Sequence, residues 1–128
     1  MLLLLDTHVV LWAAMQPERL SDEARELLED RGNQLFFSAA SVWEVAIKSA
    51  RRGAGFDVDP YVLRRGLLGN GYVEIGILGA HTADVAGLPP IHRDPFDRLL
   101  VAQARHEGMT LVTADASVAA YGPPVRRV

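Results

Sequence analysis

Residues 94–100, Asp94-Pro95-Phe96-Asp97-Arg98-Leu99-Leu100, have the pattern of a helix start, and the interpretation of the whole chain is built outward from them. Asp94 has the side chain preferred at an N-cap, and Pro95 suits the first helical position. Apolar residues recur from Phe96 onward at helical spacing, which predicts a helix with one face against a core. A carboxylate at Asp97, in the first turn, stabilises the helix dipole. Capping fully explains Asp94, whereas Asp97 is also placed to meet acids from other parts of the chain.

Short apolar runs alternate with helical patterns on both sides of this segment. The run Leu2–Leu5 is typical of a strand that is buried on both faces of a parallel sheet. Further strands are predicted over 35–37, 72–77 and 109–112, with an edge strand at 125–128, and helices over 9–12, 21–31, 38–52, 60–68, 80–86 and from residue 94. This alternation predicts an α/β fold with a mostly parallel sheet, in a single domain that spans residues 1–128.

The composition is ordinary for a compact protein and excludes several classes of protein and of site. Hydrophobic residues make up 49% and charged residues 23% of the chain, which excludes wholesale disorder. No apolar run approaches the ~20 residues of a membrane span, and the opening Met1–Leu5 lacks the basic leader of a signal peptide. Because the chain has no cysteine, it has no disulfide framework, thiolate nucleophile or cysteine-based zinc site. We therefore expect a cytoplasmic protein with no membrane partner.

The net charge of −3 argues, taken alone, against a nucleic-acid-binding protein, but the charge is unevenly distributed. The first 34 residues hold seven acidic and three basic side chains, whereas basic residues cluster between positions 48 and 65. This cluster is either a basic flank near an acidic pocket or a solvated helix face. If the substrate carries phosphate groups, the candidate phosphate contacts are Arg51, Arg52, Arg93 and Arg98.

Two acids directly follow predicted buried strands. Asp6 follows the first strand, and Asp115 follows the strand over 109–112 by a few residues. The carboxyl ends of parallel strands lie at one edge of a sheet, where ligands bind in open α/β folds. Asp6 and Asp115 can therefore share that edge, although an acid after a strand can also be a simple helix cap.

A third acid, Glu44, stands in an otherwise apolar turn of the helix predicted over 38–52. The residues spaced to face the core on this helix are Trp43, Ala46, Ile47 and Ala50. A simple explanation of Glu44 is an ion pair with Lys48, four residues on, which stabilises a helix by only a few tenths of a kcal/mol. A pair this weak suggests a second role for Glu44.

Four acids that converge would need a counter-charge, because neighbouring carboxylates repel one another unless protons or cations intervene. The sequence lacks cysteine and paired-histidine spacings, and ligands that are all oxygens select a hard ion, Mg²⁺ or Mn²⁺. Such a site can activate water and neutralise charge during attack on a phosphodiester. The hypothesis from the residues is metal-dependent phosphodiester hydrolysis, with Glu44 or Asp115 helping to deprotonate the attacking water.

Four short segments occur in a characteristic order: LLLLDTH at 2–8, SVWE at 41–44, HRDPFDRLL at 92–100 and LVTAD at 111–115. With these segments the chain resembles the PIN-domain nucleases and, more narrowly, the VapC-type toxins of toxin–antitoxin pairs. The resemblance spans residues 2–121. It implies a three-layer α/β/α fold and a Mg²⁺- or Mn²⁺-dependent endoribonuclease that acts on RNA.

The resemblance also implies a homodimer and a small cognate antitoxin whose tail covers the acidic pocket. The candidate residues for an interface are Leu11, Trp12 and the helix Tyr61–Leu68, for which core packing is the alternative.

The resemblance assigns roles by position. Asp6 and Asp97 resemble the principal metal ligands of the family, and Glu44 matches its second acid. Asp115 matches the fourth acid, which often contacts the metal through water. Thr113 matches the hydroxyl residue near that acid and is a candidate for substrate binding. The implied catalytic set is therefore these four acids, with Asp6, Asp97 and Asp115 as the metal-binding residues.

Two other functions are compatible with the residues. A metal-free ribonuclease would use His8, His92 or His106 as acid–base groups, since histidine titrates near neutral pH. A non-catalytic binding module would use the acidic pocket to hold a basic peptide, with an arginine of the partner forming bidentate pairs. Cleavage that persists after chelation of metal ions would distinguish the metal-free ribonuclease from a metal-dependent nuclease. An activity assay with added metal would distinguish the binding module, which does not cleave, from either nuclease.

Overall fold

A five-stranded sheet lies at the centre of the computed structural model, which describes residues 1–51 and 57–128. The strands are β1 (Leu2–Leu5), β2 (Gln34–Ser38), β3 (Val73–Ile75), β4 (Thr110–Thr113) and β5 (Val125–Arg127). Their order is β3-β2-β1-β4-β5, and every neighbouring pair is parallel. The predicted parallel α/β architecture is confirmed. β3 is shorter than the predicted 72–77, because only its three residues pair with β2.

Helices connect the strands and cover both faces of the sheet. They are α1 (Thr7–Met15), α2 (Asp22–Glu29), α3 (Ala39–Ser49), α4 (Pro60–Gly69), α5 (Gly79–Asp84), α6 (Pro95–Glu107) and α7 (Ala116–Ala119). The helix predicted over 80–86 is α5 followed by a turn of 3₁₀ helix over Val85–Gly87. Within the described ranges, no helix has both the length and the apolar character needed to cross a membrane.

Successive side chains of the central strand enter two separate hydrophobic cores. Leu4 points to one core, where it joins Leu100 of α6. Leu3 and Leu5 point to the other, where they join Val9 of α1. All four leucines and Val9 are almost completely buried. Because side chains alternate across a strand, an unbroken leucine run requires a helical layer on each face. The three-layer α/β/α arrangement is thereby confirmed.

The inward face of α3 is not the face that its apolar residues predict. Trp43 is 55% exposed and Ala50 is also exposed, while Ala46 and Ile47 are only half-buried. The buried residues of this helix are Ala40, Ser41, Glu44 and Val45. The predicted core face was wrong because Thr7 of α1 is buried and forms hydrogen bonds with Ser41 and Glu44, so these polar residues can face inward.

The predicted start of α6 is confirmed. Asp94 is the N-cap, and its Oδ1 accepts hydrogen bonds from the backbone N–H groups of Phe96 at 2.8 Å and Asp97 at 3.2 Å. Leu99 and Leu100 are buried in the core, as their spacing predicts. The Asp97 side chain is left free of capping and is available for contacts outside its own helix.

Replacing Asp94 with Ala is expected to lower the free energy of unfolding by about 1 kcal/mol, because two N–H groups of the first turn lose their acceptor. Replacing Asp94 with Asn should change it by only a few tenths of a kcal/mol, since the amide oxygen still accepts these bonds. Urea unfolding of both variants measures the difference. Equal losses in the two variants would contradict a capping role.

The connections place a topological switch between β1 and β4. After β1 the chain visits β2 and β3 on one side, and then crosses to β4 and β5 on the other. In open α/β sheets, ligands bind in the crevice outside the carboxyl ends of the strands at such a point. The residues that follow β1 and β4 therefore occupy the position in the fold that favours a ligand site.

Candidate active site

Asp6 lies at the carboxyl end of β1 and is 3% exposed. It caps α1, since its Oδ1 accepts a hydrogen bond of 2.9 Å from the backbone N–H of Val9. Its Oδ2 accepts a hydrogen bond from the hydroxyl of Thr113 at the end of β4. Burial raises the pKa of the Asp6 carboxyl above its ordinary value, and these two hydrogen bonds oppose the rise. Asp6 therefore caps α1 through Oδ1 and contacts the end of β4 through Oδ2, so one carboxylate has both predicted roles.

Asp115 lies at the same edge, two residues beyond β4. Its backbone N–H donates to Thr113 Oγ1 at 3.0 Å, and its Oδ1 accepts from the N–H of Ser117 at 2.8 Å to cap α7. Thr113 therefore links the two acids, because it accepts from one residue and donates to the carboxylate of Asp6. The negative charge of Asp115 contributes to the raised pKa of Asp6.

Glu44 reaches the edge from α3 and is 3% exposed. Its Oε2 lies 2.5 Å from the ammonium of Lys48, so the predicted ion pair exists. Its Oε1 lies 2.7 Å from the hydroxyl oxygen of Thr7, which is itself 2.9 Å from Ser41 Oγ. A hydroxyl has one proton, so Thr7 donates to the carboxylate and Ser41 donates to Thr7. This chain of hydroxyl groups holds Glu44 against α1 and accounts for its burial.

Thr7 and Ser41 are positioning residues that sequence reasoning missed. Both belong to the segments on which the resemblance rests, and both are buried polar residues. The available signal was their spacing: Thr7 directly follows a site acid, and Ser41 precedes Glu44 by one helical turn. That they meet across two helices is visible only in the folded chain.

Asp97 points from the first turn of α6 toward the other acids and has a strongly perturbed pKa. Burial, followed by the negative charge of Asp94 and then by those of Asp6 and Glu44, raises its pKa to about 6. A hydrogen bond with His92, whose Nε2 lies 2.8 Å from Asp97 Oδ2, opposes the rise. Perturbation by several acids of different elements indicates that these carboxylates share one electrostatic environment.

His92 joins the acids, which sequence reasoning did not predict. One potential ligand atom from each of His92, Asp97 and Asp115 lies within 4.8 Å of the other two. The backbone N–H of His92 donates to the hydroxyl of Tyr121 at 3.1 Å, which fixes the connector that precedes α6. Its position five residues before Asp97, in the same segment, was the available signal.

Of the three histidines of the metal-free alternative, His106 lies away from the site acids. His8 is exposed on α1. His106 lies in the last turn of α6 and is 3.0 Å from Asp84, whereas His92 lies beside the first turn. The 13 residues of α6 separate its two ends by about 20 Å. His92 and His106 therefore cannot act together on one phosphate.

The four candidate phosphate contacts have different surroundings. The guanidinium of Arg98 donates to Pro89 O and Tyr121 Oη, each at 3.0 Å, and to Val85 O at 3.2 Å. Arg98 thus fixes the connector between α5 and α6, and because its Nη groups are engaged there, the structure does not favour it as a phosphate contact. Arg51 and Arg93 are exposed, and Arg52 lies outside the described residues.

The donor set fits a hard divalent cation. Carboxylate oxygens, the ligands that suit Mg²⁺ and Mn²⁺, predominate, and the single nitrogen donor is the imidazole of His92. In the described ranges, Lys48 is the one lysine or arginine within ion-pair distance of these acids, and it pairs with Glu44. Burial is the first cause of the raised pKa values of Asp6 and Asp97, and the charges of other carboxylates add to it. A cation bound here would oppose both effects.

Comparison with known proteins gives concordant matches. The family model described as "PIN domain" matches residues 3–122. Ribonuclease VapC22 of Mycobacterium tuberculosis is 30% identical over 122 residues, which cover 94% of this chain and 92% of that protein.

Solved structures show the same fold at low sequence identity. VapBC2 from Rickettsia felis, bound to a DNA fragment from its promoter, has a TM-score of 0.70 at 17% identity and covers 99% of this chain and 98% of that one. VapC20 of Mycobacterium tuberculosis, a toxin that cleaves the sarcin–ricin loop, has a TM-score of 0.63 at 15% identity, covering 94% of this chain and 95% of that one. These two likenesses extend over nearly the full length of each chain.

Proposed function

This chain belongs to the PIN domain family, and from that membership we propose that it is a divalent-metal-dependent endoribonuclease, the toxin of a toxin–antitoxin pair. The relative that is 30% identical to this chain is a ribonuclease, and the similar solved structures include a toxin that cleaves the sarcin–ricin loop. The reaction is hydrolysis of an RNA phosphodiester bond by water.

One observation carries this proposal: acids from separate elements converge at the topological switch between β1 and β4. Asp6 and Asp115 meet through Thr113, and Asp97 and Glu44 arrive from α6 and α3. Helix capping alone would not require carboxylates from four separate segments to lie close enough for their charges to interact.

The proposed roles follow from the surroundings of each acid. Asp6, Asp97 and Asp115 would hold Mg²⁺ or Mn²⁺, since each keeps at least one oxygen free of an ion pair with lysine or arginine. When bound, such an ion would supply charge neutralisation at the phosphate and would activate water as the nucleophile. Glu44, held by Thr7 and Lys48, faces the same site and is the candidate that helps to orient and deprotonate this water.

Recognition of RNA needs groups outside the acids. Because a water nucleophile does not use the ribose 2′-hydroxyl, discrimination between RNA and DNA has to come from shape and from groove contacts. We propose Arg51 and Arg93, both exposed near the segments that carry the site acids, as phosphate contacts. Arg52 and Thr113 complete the proposed substrate-binding set, although the hydroxyl of Thr113 is already shared between Asp6 and Asp115.

We further propose that an antitoxin protein inhibits this nuclease by covering the acidic site. Several of the similar solved structures are toxin–antitoxin complexes, including one from Klebsiella pneumoniae. A basic side chain of the partner, arginine above all, can form bidentate hydrogen bonds with the carboxylates. This mode of inhibition also accommodates the binding-module alternative, in which the pocket holds a basic peptide.

The assembly is proposed as a homodimer of single-domain chains, residues 1–128, that acts in the cytoplasm. Exposed apolar residues of α4 support an interface: Val62 is 55% exposed and Leu68 is 40% exposed. Leu11, a sequence-based interface candidate, is 8% exposed and packs in the core beside β1, so that prediction was wrong. Trp12, also proposed there, is half-buried and stacks with Arg19 at 5.3 Å.

Removing divalent ions is expected to abolish cleavage of a mixed RNA pool, and adding back Mg²⁺ or Mn²⁺ should restore it. Sequencing the products would identify the cleaved sites, and analysis of their ends would report the nucleophile. Attack by water leaves no cyclic phosphate. Cleavage that survives EDTA and yields cyclic phosphate would instead support histidine catalysis. Absence of cleavage with every added metal, together with tight binding of a basic peptide, would support the binding module.

A further inference from the structure

Trp43 and Phe96 form an aromatic pair at the rim of the acidic site. Their ring centroids are 5.0 Å apart and the rings are inclined at 71°, an edge-to-face arrangement. Each residue directly precedes a site acid, Glu44 in one case and Asp97 in the other. The pair therefore joins the two helices that deliver these acids.

The Trp43 ring is held in place and is nevertheless largely open to solvent. It is 55% exposed, although the sequence pattern of α3 predicts a core position for it. Contact with Phe96 restricts its orientation, so the ring is a fixed surface rather than a mobile one. An exposed tryptophan beside an active site offers an aromatic face on which a flat ligand can stack.

An open groove of about 500 Å³ begins at this ring and runs between α3 and α4. Its walls include Val42, Trp43, Ala46, Tyr61, Arg64 and Glu74. Arg64 and Glu74 neutralise each other through two hydrogen bonds of 2.6 and 3.1 Å. The groove thus offers aromatic and apolar surface with balanced charge, in contrast to the acidic site beside it.

We propose that Trp43 is a stacking surface for an unpaired base of the RNA substrate, next to the phosphate that is cleaved. This inference rests on the proposed ribonuclease function. The part of RNA nearest to a phosphate bound at the acids is the ribose and base of the same or the adjoining nucleotide. That base is flat, uncharged and π-bonded, which matches an aromatic surface with balanced charge. The substrate at this position is therefore single-stranded or carries a base that has left its helix.

The groove favours a base over a basic peptide, because its own acid, Glu74, is already paired with Arg64. A basic partner would be drawn to the site acids and not to this wall. Stacking is also indifferent to base identity, so Trp43 would contribute affinity for unpaired RNA and little sequence preference.

Fluorescence can isolate this residue, because the chain has only two tryptophans. In Trp12→Phe protein, Trp43 is the sole tryptophan, and a single-stranded RNA oligonucleotide is expected to quench its emission. An oligonucleotide of the same length and charge with abasic positions, and a blunt duplex, should not quench it. Trp43→Phe protein retains Trp12 alone and serves as the matched control, in which RNA should cause little change.

Cleavage kinetics provide the second measurement. Loss of one stacked base corresponds to a weakening of about 5- to 150-fold, so Trp43→Ala should raise KM by that factor while kcat changes little. Trp43→Phe should keep KM within a few-fold of the parent, since phenylalanine still stacks. Circular dichroism of Trp43→Ala checks its folding, which an exposed side chain should tolerate.

Three outcomes would overturn the stacking proposal. They are equal quenching by abasic and ordinary RNA, an unchanged KM in Trp43→Ala, and quenching by a basic peptide but not by RNA. Each can occur while the parent protein still cleaves RNA with added metal, which leaves the ribonuclease function intact. Conversely, base-dependent quenching without any cleavage would support the stacking surface and contradict the ribonuclease proposal.

Discussion

Replacing Asp97 with Asn is expected to lower the rate of metal-dependent RNA cleavage by at least about a thousandfold. A bound ion contributes several kcal/mol to phosphodiester hydrolysis, and each 1.36 kcal/mol corresponds to about a factor of ten in rate. Asp97 is a proposed ligand that four neighbouring charged or polar groups surround. An amide at this position removes the negative charge that holds the ion. Asp6→Asn should cause a loss of the same order.

Asp94→Asn is the matched control for this experiment. It removes a carboxylate only three residues from Asp97, on the same helix start, and keeps the cap. Its cleavage rate should stay within a few-fold of the parent. Single-turnover rates at saturating Mg²⁺ distinguish the variants, and calorimetric titration with Mn²⁺ should show that only Asp97→Asn loses metal binding. Full activity in Asp97→Asn would refute the assignment of this residue.

Asp97→Asn is also expected to stabilise the metal-free protein at pH 8, by at most about 3 kcal/mol. The pKa of Asp97 is raised from 3.8 to about 6 in the folded protein, chiefly by burial, and one pKa unit corresponds to about 1.36 kcal/mol. A raised pKa means that the folded state favours the neutral carboxyl. The stabilising contribution is therefore fully present below pH 3.8 and is lost as the pH rises through about 6. Above that pH, the charged carboxylate destabilises the fold.

The measurement is urea unfolding of the parent and Asp97→Asn in EDTA between pH 4 and pH 8. The two free energies of unfolding should be close at pH 4 and should diverge as Asp97 ionises. Added Mg²⁺ should reverse the order, because an ion at about 1,000 times its Kd stabilises the parent by about 4.1 kcal/mol and leaves the variant unchanged. A difference that is constant across this pH range would mean that Asp97 is not the group responsible.

Local signals in the sequence predicted most of the element boundaries. Ser21 and Asp94 cap α2 and α6 through hydrogen bonds to backbone N–H groups within three residues. Caps of this kind depend on neighbours in the chain, so residue type and spacing suffice to place them. The unbroken run of β1 likewise predicts burial on both faces, because a strand has only two.

The orientation of α3 and the partners of Arg98 and His92 could not be predicted in this way. Glu44 turns inward because Thr7, 37 positions earlier, offers it a hydroxyl. Arg98 binds carbonyl groups of a connector whose path depends on how α5 and α6 pack. In each of these contacts the two residues meet only because the chain folds, so their spacing in the sequence does not predict the contact.

The sequence by itself determined the parallel α/β architecture, the helix caps and the identity of four acids, because each of these depends on local pattern or residue type. Only the tertiary structure decided that Asp6, Glu44, Asp97 and Asp115 share one edge, that His92 joins them and that Trp43 faces solvent. The physical reason is that strand order and helix packing bring distant side chains together. Burial then raises the pKa values of Asp6 and Asp97. The distances that produce these effects are set by the packing of the folded chain and not by the spacing of residues along it.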